Sequence, residues 1–573
     1  MRRIATHLLT GIAVLFSSIT SAQSVNQSWV QQLYIGSKSN GPKMARDNSG
    51  NIYVAATSYP TSGLEAIYVW KYNSSGAIQW TRSYSPPGTT IGGLSTITMD
   101  ASSNVIVTGT WYYNDSFGHY KTSTVKYNAS GTQLWAVETS VGYFFNTAHA
   151  ITTDAAGNIY ITGSTMTSST STEDYLTFKL DANGVLQWSA TYDGTAGGYD
   201  VALAIALDAS GNVYITGQSE GQIRTRGLPS TTINTGDDYM TIKYDPMGHI
   251  LWSNRYYSAQ ANYSDVASSL VLDASGNAYV TGGANNVGTT VAYSSAGSQL
   301  WVTKGASQNN TAIAKDASGN IIVAGYNTAG QGSLQTYYIV KYTSAGAISW
   351  TRTYQSGINH NGPYPPLLAV DAQSNVYMAG VVMTAGSTNL TGYNFVTMKL
   401  SSSGAFIWSA IYNGPTNNSD VPSALVLYQS SSVVVSNYPS VYVAGATDYS
   451  GSSSYSTVVK YTQSASVGTS VTEAGSAQGN VLASSDGGLV LANWPNPYKG
   501  TTNISYTLPF DSHVVLQVYD MAGKPVAMPV NKREPAGLHT VPFHAGAAGV
   551  YSYRIFATSD RGTITATRQM VVQ

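Results

Sequence analysis

The 573-residue chain has no cysteine. That excludes disulfides, thiolate metal sites and cysteine nucleophiles, so a folded form must rest on core packing. Charge is scarce too: 27 Lys and Arg face 28 Asp and Glu, charged residues make up 10% of the chain, and formal net charge is −1. No basic footprint for phosphate neutralisation exists, which argues against nucleic acid as a partner. Beyond the N-terminal region no segment has the roughly 20 consecutive apolar residues that span a bilayer, so no transmembrane segment is expected in the mature chain. What is plentiful is 56 Gly and 43 Tyr. Glycine suits tight turns and tyrosine suits pleated surfaces, which together make an all-β composition.

The start, "MRRIATHLLTGIAVLFSSITSAQS", places Arg2 and Arg3 before an apolar run from Leu8 to Ile19 and small residues around Ala22. This pattern predicts a secretory signal peptide over 1–22. A short string then recurs: "DASGNVYITG" at Asp208 returns in related form at Asp47, Asp100, Asp154, Asp273, Asp316 and Asp371. Most copies lie about 54 residues apart, a period of propellers or solenoids. Each unit adds a "KY" segment such as "YMTIKY", a turn, and a tryptophan segment such as "ILWSNRY", all alternating with period two. With the strand before each aspartate, four antiparallel strands per unit describe a propeller blade.

Tryptophan segments centre on Trp80, Trp135, Trp188, Trp252, Trp301, Trp350 and Trp408, whereas the last unit ends at "STVVKYTQ" without one. A spare, "QSWVQQLY" around Trp29, precedes the first unit. Pairing the two ends would finish the last sheet and remove its open edge, so a closed propeller of eight four-stranded blades is expected, with seven as the alternative. The D-x-x-G-N-x-Y-x-x-G string with its K-Y and W segments resembles the bacterial β-propeller repeat family named for seven blades (SBBP type), over residues 29–461.

Residues 462–488 turn Ser-, Gly- and Ala-rich and read as a linker between a repeat domain over 23–461 and a terminal domain over 489–573. The terminal domain alternates again in short strands, which suggests an immunoglobulin-like β-sandwich. Its segments "NPYKGTTNISYTLP", "VYDMAGKPV", "AGLHTV", "GVYSYRI" and "RQMVVQ" resemble the type A sorting domain of type IX secretion. That resemblance implies export across the outer membrane, the type IX machinery as a partner of residues 489–573, and a secreted, extracellular or outer-membrane surface location. Arg568 stands where such domains often carry Lys.

The repeated aspartates Asp47, Asp100, Asp154, Asp208, Asp273, Asp316 and Asp371 each precede Gly, Ser or Asn at a strand junction. There a carboxylate can accept backbone N–H groups, so a structural turn role is expected. Calcium would need six to eight oxygens, far more than one such loop supplies. "GQSEG" at Gly217 matches the serine-hydrolase pattern but lacks the strand-to-helix elbow. The eight histidines are scattered singly. No catalytic residue, metal site or cofactor is assigned.

In an up-and-down blade, the connections between strands 2 and 3 and from strand 4 to the next blade share one face, and here these vary most in length. Low-charge aromatic loops there, with Trp111, Tyr112, Tyr113, Tyr143 and Phe144, offer flat surfaces with polar edges suited to a glycan or protein. Arg224 and Arg226 on a long insertion and Asp237, Asp238 and Asp265 at strand starts complete the candidate ligand-binding set, with Asp174, Asp200 and Asp420 flanking strands on the same face. The expected function is a secreted or surface-exposed, non-enzymatic binding or adhesion module. The alternatives are an extracellular glycoside hydrolase or lyase, and a structural surface scaffold.

Overall fold

The computed structural model describes residues 23–465 and 490–572, except for segments 37–40, 59–64, 115–117, 142–144, 168–171, 225–231, 259–263, 329–334, 359–363, 384–391, 415–418, 430–437, 450–453, 495–499, 509, 521–523, 536 and 561. The expected signal peptide, most of the linker, Tyr143, Phe144 and Arg226 lie outside the described residues. Two compact units result, the repeats and the C-terminal strands.

The repeats form eight four-stranded antiparallel sheets, a propeller-like repeat architecture. Sheet 1 comprises Lys43–Arg46, Ile52–Ser58, Ala66–Tyr72 and Ile78–Tyr84 in sequence order. Sheets 2 to 7 follow the same order over residues 89–139, 146–192, 200–256, 265–304, 309–355 and 367–412. Sheet 8 takes Ser419–Tyr428, Ser440–Tyr449 and Ser454–Ala465 from the end of the repeats and its fourth strand, Gln23–Gly36, from the beginning. In that pairing Trp29 lies opposite Lys460 and Val30 opposite Val459. The orphan tryptophan segment therefore fills the vacant fourth position.

The inner strands are apolar on both faces, so each sheet can pack against two neighbours. Tyr53 and Val69 of sheet 1 share a buried cluster with Val107 and Trp111 of sheet 2, and Tyr214 and Tyr239 of sheet 4 share one with Val280 and Tyr293 of sheet 5. Val443 and Tyr461 of sheet 8 pack with Phe395 and Trp408 of sheet 7. Tyr442, Ala444 and Val458, also of sheet 8, pack with Ile52, Val54 and Trp70 of sheet 1.

The tryptophans repeat this linkage in polar terms. Trp80 Nε1 donates to Ala129 O of the next sheet at 3.1 Å, Trp135 to Ala182 O at 3.0 Å and Trp188 to Pro246 O at 3.0 Å. Trp29, on the strand borrowed from the start of the chain, donates to Ser74 O of sheet 1 at 3.2 Å. Among the described residues Trp408 meets no such turn carbonyl and donates to Gln463 Oε1 at 3.1 Å.

The C-terminal unit contains a three-stranded sheet (Val490–Trp494, Thr501–Leu508 and Gly537–His544) and a four-stranded sheet (Pro525–Glu534, Ser512–Tyr519, Gly549–Ser559 and Gly562–Val572). The two share one core: Leu491, Ile504, Tyr506 and Phe543 from the first meet Leu516, Val530, Ile555 and Met570 from the second. Tyr506 donates to Glu534 Oε2 at 2.5 Å.

Candidate functional site

Asp208 shows the recurring turn. Its backbone N–H donates to Asn212 O at 3.1 Å, and its carbonyl accepts the Gly211 N–H at 3.0 Å. Oδ1 accepts the N–H groups of Ser210 and Asn212, each at 2.9 Å, and Oδ2 accepts Asn212 Nδ2 at 2.7 Å. Lys243 Nζ lies 3.5 Å from Oδ2. Burial pushes this carboxyl up, but the Asn212 and Ser210 donors and Lys243 outweigh it and hold it below the usual range. The same double N–H capture occurs at Asp47, Asp100, Asp154, Asp273, Asp316 and Asp371. Every oxygen is thus occupied inside its own turn. A cleft of about 270 Å³ lined by Asp100, Lys126, Gly157 and Asn183 lies on this turn side, away from the candidate binding face.

On the candidate face, the sequence-predicted residues separate. Trp111 is 1% and Tyr113 7% exposed, both in the core between sheets 1 and 2. Their strand, Val105–Tyr113, runs past Gly109 into the stretch expected as loop, and Trp111 pairs opposite Lys121 in an extended hairpin. Trp111 keeps the alternation of Val105 and Val107, which turns it inward. Tyr112 is half-buried, its ring 5.1 Å from that of Tyr120. Tyr120 in turn lies 4.8 Å from Phe145, an aromatic neighbour contributed by the following connection. Arg224 ends the strand Val213–Arg224, opposite Thr232 in a long two-stranded ribbon.

The acidic members do converge, and most are internally engaged. Asp238 is fully buried; its Oδ2 accepts from Thr235 Oγ1 at 2.7 Å and pairs with Arg255 Nη1 at 3.0 Å. Burial raises this carboxyl, the Thr235 and Arg255 contacts oppose the rise, and Asp265 adds to it. Arg255 also donates to Ser219 O at 2.7 Å and Ser219 Oγ at 2.8 Å. Asp265 accepts the Ser258 N–H at 2.5 Å and the Asn285 N–H at 2.8 Å. Asp237 is half-buried and accepts from Ser264 Oγ at 2.9 Å.

Two of the strand-flanking acids, Asp174 and Asp200, meet Asp193, a residue that the sequence had not singled out. Asp174, Asp193 and Asp200 place carboxylate oxygens within 4.8 Å of one another. Asp174 and Asp200 are buried, and Asp193 is exposed. Gly194 N–H donates to Asp200 Oδ2 at 2.6 Å, and Thr167 Oγ1 to Asp174 Oδ2 at 3.0 Å. Burial drives the Asp200 carboxyl up to about 6 against the pull of the Ser219 hydroxyl and the Gly194 N–H, with Asp193 and Asp174 pushing the same way as burial. Asp174 is raised by burial, opposed by Thr167 and reinforced by Asp193. The only signal in the sequence was "YDGTAGGYD", two aspartates bracketing a glycine-rich connection.

Residues 492–573 match the family model described as the secretion system C-terminal sorting domain. The chain thus carries this export domain, which makes it a secreted or cell-surface all-β protein. No curated protein matches the chain. Among solved structures, it is similar to the Dos1 propeller at 9% identity and a TM-score of 0.45, covering 76% of this chain and 95% of that one. It is also similar to PorZ, a surface component of the type-IX secretion system of Porphyromonas gingivalis, at 12% identity and a TM-score of 0.34, covering 92% of this chain and 74% of that one. A protein of unknown function from Bacteroides caccae aligns at 10% identity and a TM-score of 0.29, over 52% of this chain and 91% of that one. Among the described residues no helix is long and apolar enough to cross a membrane.

Proposed function

We propose that the repeats form a closed eight-bladed propeller of the bacterial repeat type that binds an extracellular glycan or protein without turning it over, and that residues 489–573 deliver it through the type IX machinery. In this reading residues 1–22 are removed, 23–461 make the propeller, 462–488 link it, and the terminal strands form an immunoglobulin-like sandwich. The recurring aspartates are turn-formers. The observation that carries the binding reading is how the face spends its acids: Asp238 and Asp265 are consumed by Arg255 and backbone N–H groups. A glycosidase needs its two carboxyls presented to the substrate. What remains accessible is the half-buried aromatic set Tyr112, Tyr120 and Phe145 of sheet 2 and the connection after it, with the half-buried Asp237 of sheet 4 and the exposed Asp193 as further polar residues of the same face; Tyr143, Phe144, Arg224 and Arg226 belong to the same set of connections. Trp111 and Tyr113 support this face from beneath.

The test is binding of the purified mature chain to a glycan array alongside a polysaccharide-degradation screen. Selective binding that Tyr112→Ala weakens about tenfold, without degradation products, is the expected result. Turnover abolished by substitution of one carboxylate would establish the enzyme reading instead.

A further inference from the structure

The repeats provide an internal control for the Asp174, Asp193 and Asp200 group. Asp174 lies five residues before Lys179, and Asp193 five residues after Trp188. The corresponding residues between sheets 7 and 8 are Asn394, five before Lys399, and Asn413, five after Trp408. Asp420 there accepts the Gly414 N–H at 2.6 Å, as Asp200 accepts that of Gly194 at 2.6 Å. One framework therefore holds two amides and one acid at one junction and three acids at the other.

Between sheets 4 and 5 the counterpart of Asp174 is Asp238, neutralised by Arg255 at 3.0 Å. In sheet 2 the same diagonal position carries the pair with signs exchanged, Lys121 with Glu138 at 4.0 Å. Sheet 3 has Thr191 where sheet 4 has Arg255, and among the described residues no Lys or Arg pairs with any of the three acids. Two buried carboxylates and a third beside them are left without a counter-charge, an arrangement that is costly unless something positive occupies it.

A second observation concerns Asp200 alone. Its residue is 0% exposed, its Oδ2 is taken by the Gly194 N–H, and among the described residues its buried Oδ1 has beside it only the Ser219 hydroxyl, which Arg255 Nη2 holds at 2.8 Å, and accepts no hydrogen bond of normal geometry. A buried carboxylate oxygen in that state calls for a ligand. We propose that Asp174, Asp193 and Asp200 bind one divalent cation of calcium's class, fastening the 193–200 connection to sheet 3. Oxygens that share one calcium ion at about 2.4 Å are at most about 4.8 Å apart, and each of the three carboxylates places an oxygen within 4.8 Å of the other two. The donor set is all oxygen, the choice of a hard cation, and water completes the six to eight ligands that calcium takes. Magnesium, which demands a near-ideal octahedron, suits a site built partly on an exposed connection less well.

Calorimetric titration of the full mature chain, stripped with EDTA, with calcium chloride tests this, together with thermal unfolding in calcium and in EDTA. One calcium per chain and a higher unfolding midpoint in calcium are expected. Asp193→Asn should weaken binding at least tenfold yet unfold in EDTA like the parent, since asparagine already serves at position 413. Asp237→Asn, outside the group, should bind as the parent does. Absence of heat and of any midpoint shift at millimolar calcium would overturn the proposal, as would Asp193→Asn binding with unchanged affinity or magnesium binding more tightly than calcium.

Discussion

At the scale of single residues, the aspartate of each turn gathers N–H groups that the strand junction would leave unpaired. At Asp100, Asp208, Asp316 and Asp371 its charge also faces a buried lysine: Lys126 Nζ lies 2.8 Å from Asp100 and Lys341 Nζ 2.7 Å from Asp316. Asp208→Ala should therefore lower the urea midpoint by the equivalent of about 2–4 kcal/mol, while Asp208→Asn, which keeps one acceptor, should cost less. Equal losses would mean that the acceptor geometry contributes nothing. Asp200 behaves in the opposite sense. Its carboxyl ordinarily ionises near 3.8 but is held up to about 6 by burial. Between those values the folded chain keeps a proton that the unfolded chain releases, so stability falls as pH rises through that window, and a cost on the order of 2–3 kcal/mol persists above it. In EDTA, Asp200→Asn should unfold at a higher temperature than the parent at pH 7.5. The advantage should vanish by pH 4; an advantage independent of pH would contradict the assignment.

At the scale of elements, Trp29 and each tryptophan of the repeated segment from Trp80 to Trp350 leans on the glycine of a neighbouring turn. A Cβ on Gly131 would stand 2.8 Å from the Trp80 ring, and its φ is +83°. Gly88 has a φ of +77° with nothing within 4 Å, so it isolates the backbone cost. Gly88→Ala should cost about 1 kcal/mol and Gly131→Ala at least about 1 kcal/mol more, compared by urea midpoints. Equal effects would remove the tryptophan contact from the account. Strand types, turns and the count of eight sheets were legible in the sequence because they rest on period-two alternation and repeated turn chemistry, both local. Strand ends were less so: the hairpin that carries Trp111 inward continues past Gly109 because Tyr112 pairs with Tyr120 and Tyr113 with His119, and no residue in that stretch forbids further pairing. The meeting of Asp174, Asp193 and Asp200 was illegible for a different reason. It depends on which side chain the neighbouring sheet offers, and only comparison with Asn394, Asn413 and Arg255 shows that a counter-charge is missing.

At the scale of the whole molecule, the repeats depend on residues near opposite ends of the repeat region. Ser28 Oγ meets Thr462 Oγ1 at 2.8 Å, Lys460 Nζ reaches Ser74 O at 2.7 Å, and the buried Lys399 donates to Gln23 Oε1 at 2.8 Å and Gln463 Oε1 at 2.9 Å. The added strand covers the edge of Ser454–Ala465, which would otherwise stand open to pairing with another chain. The most direct test exploits the lack of natural cysteine. Val30 with Val459 and Gln31 with Val458 are register partners in sheet 8, and one of two adjacent antiparallel pairs has the closer Cα spacing that a disulfide accepts. Cysteines placed at both members of each pair, oxidised at high dilution and mapped by peptide mass spectrometry, should give an intramolecular disulfide in at least one of the two variants. If neither variant cross-links, or both join only separate molecules, the N-terminal strand does not complete the eighth sheet.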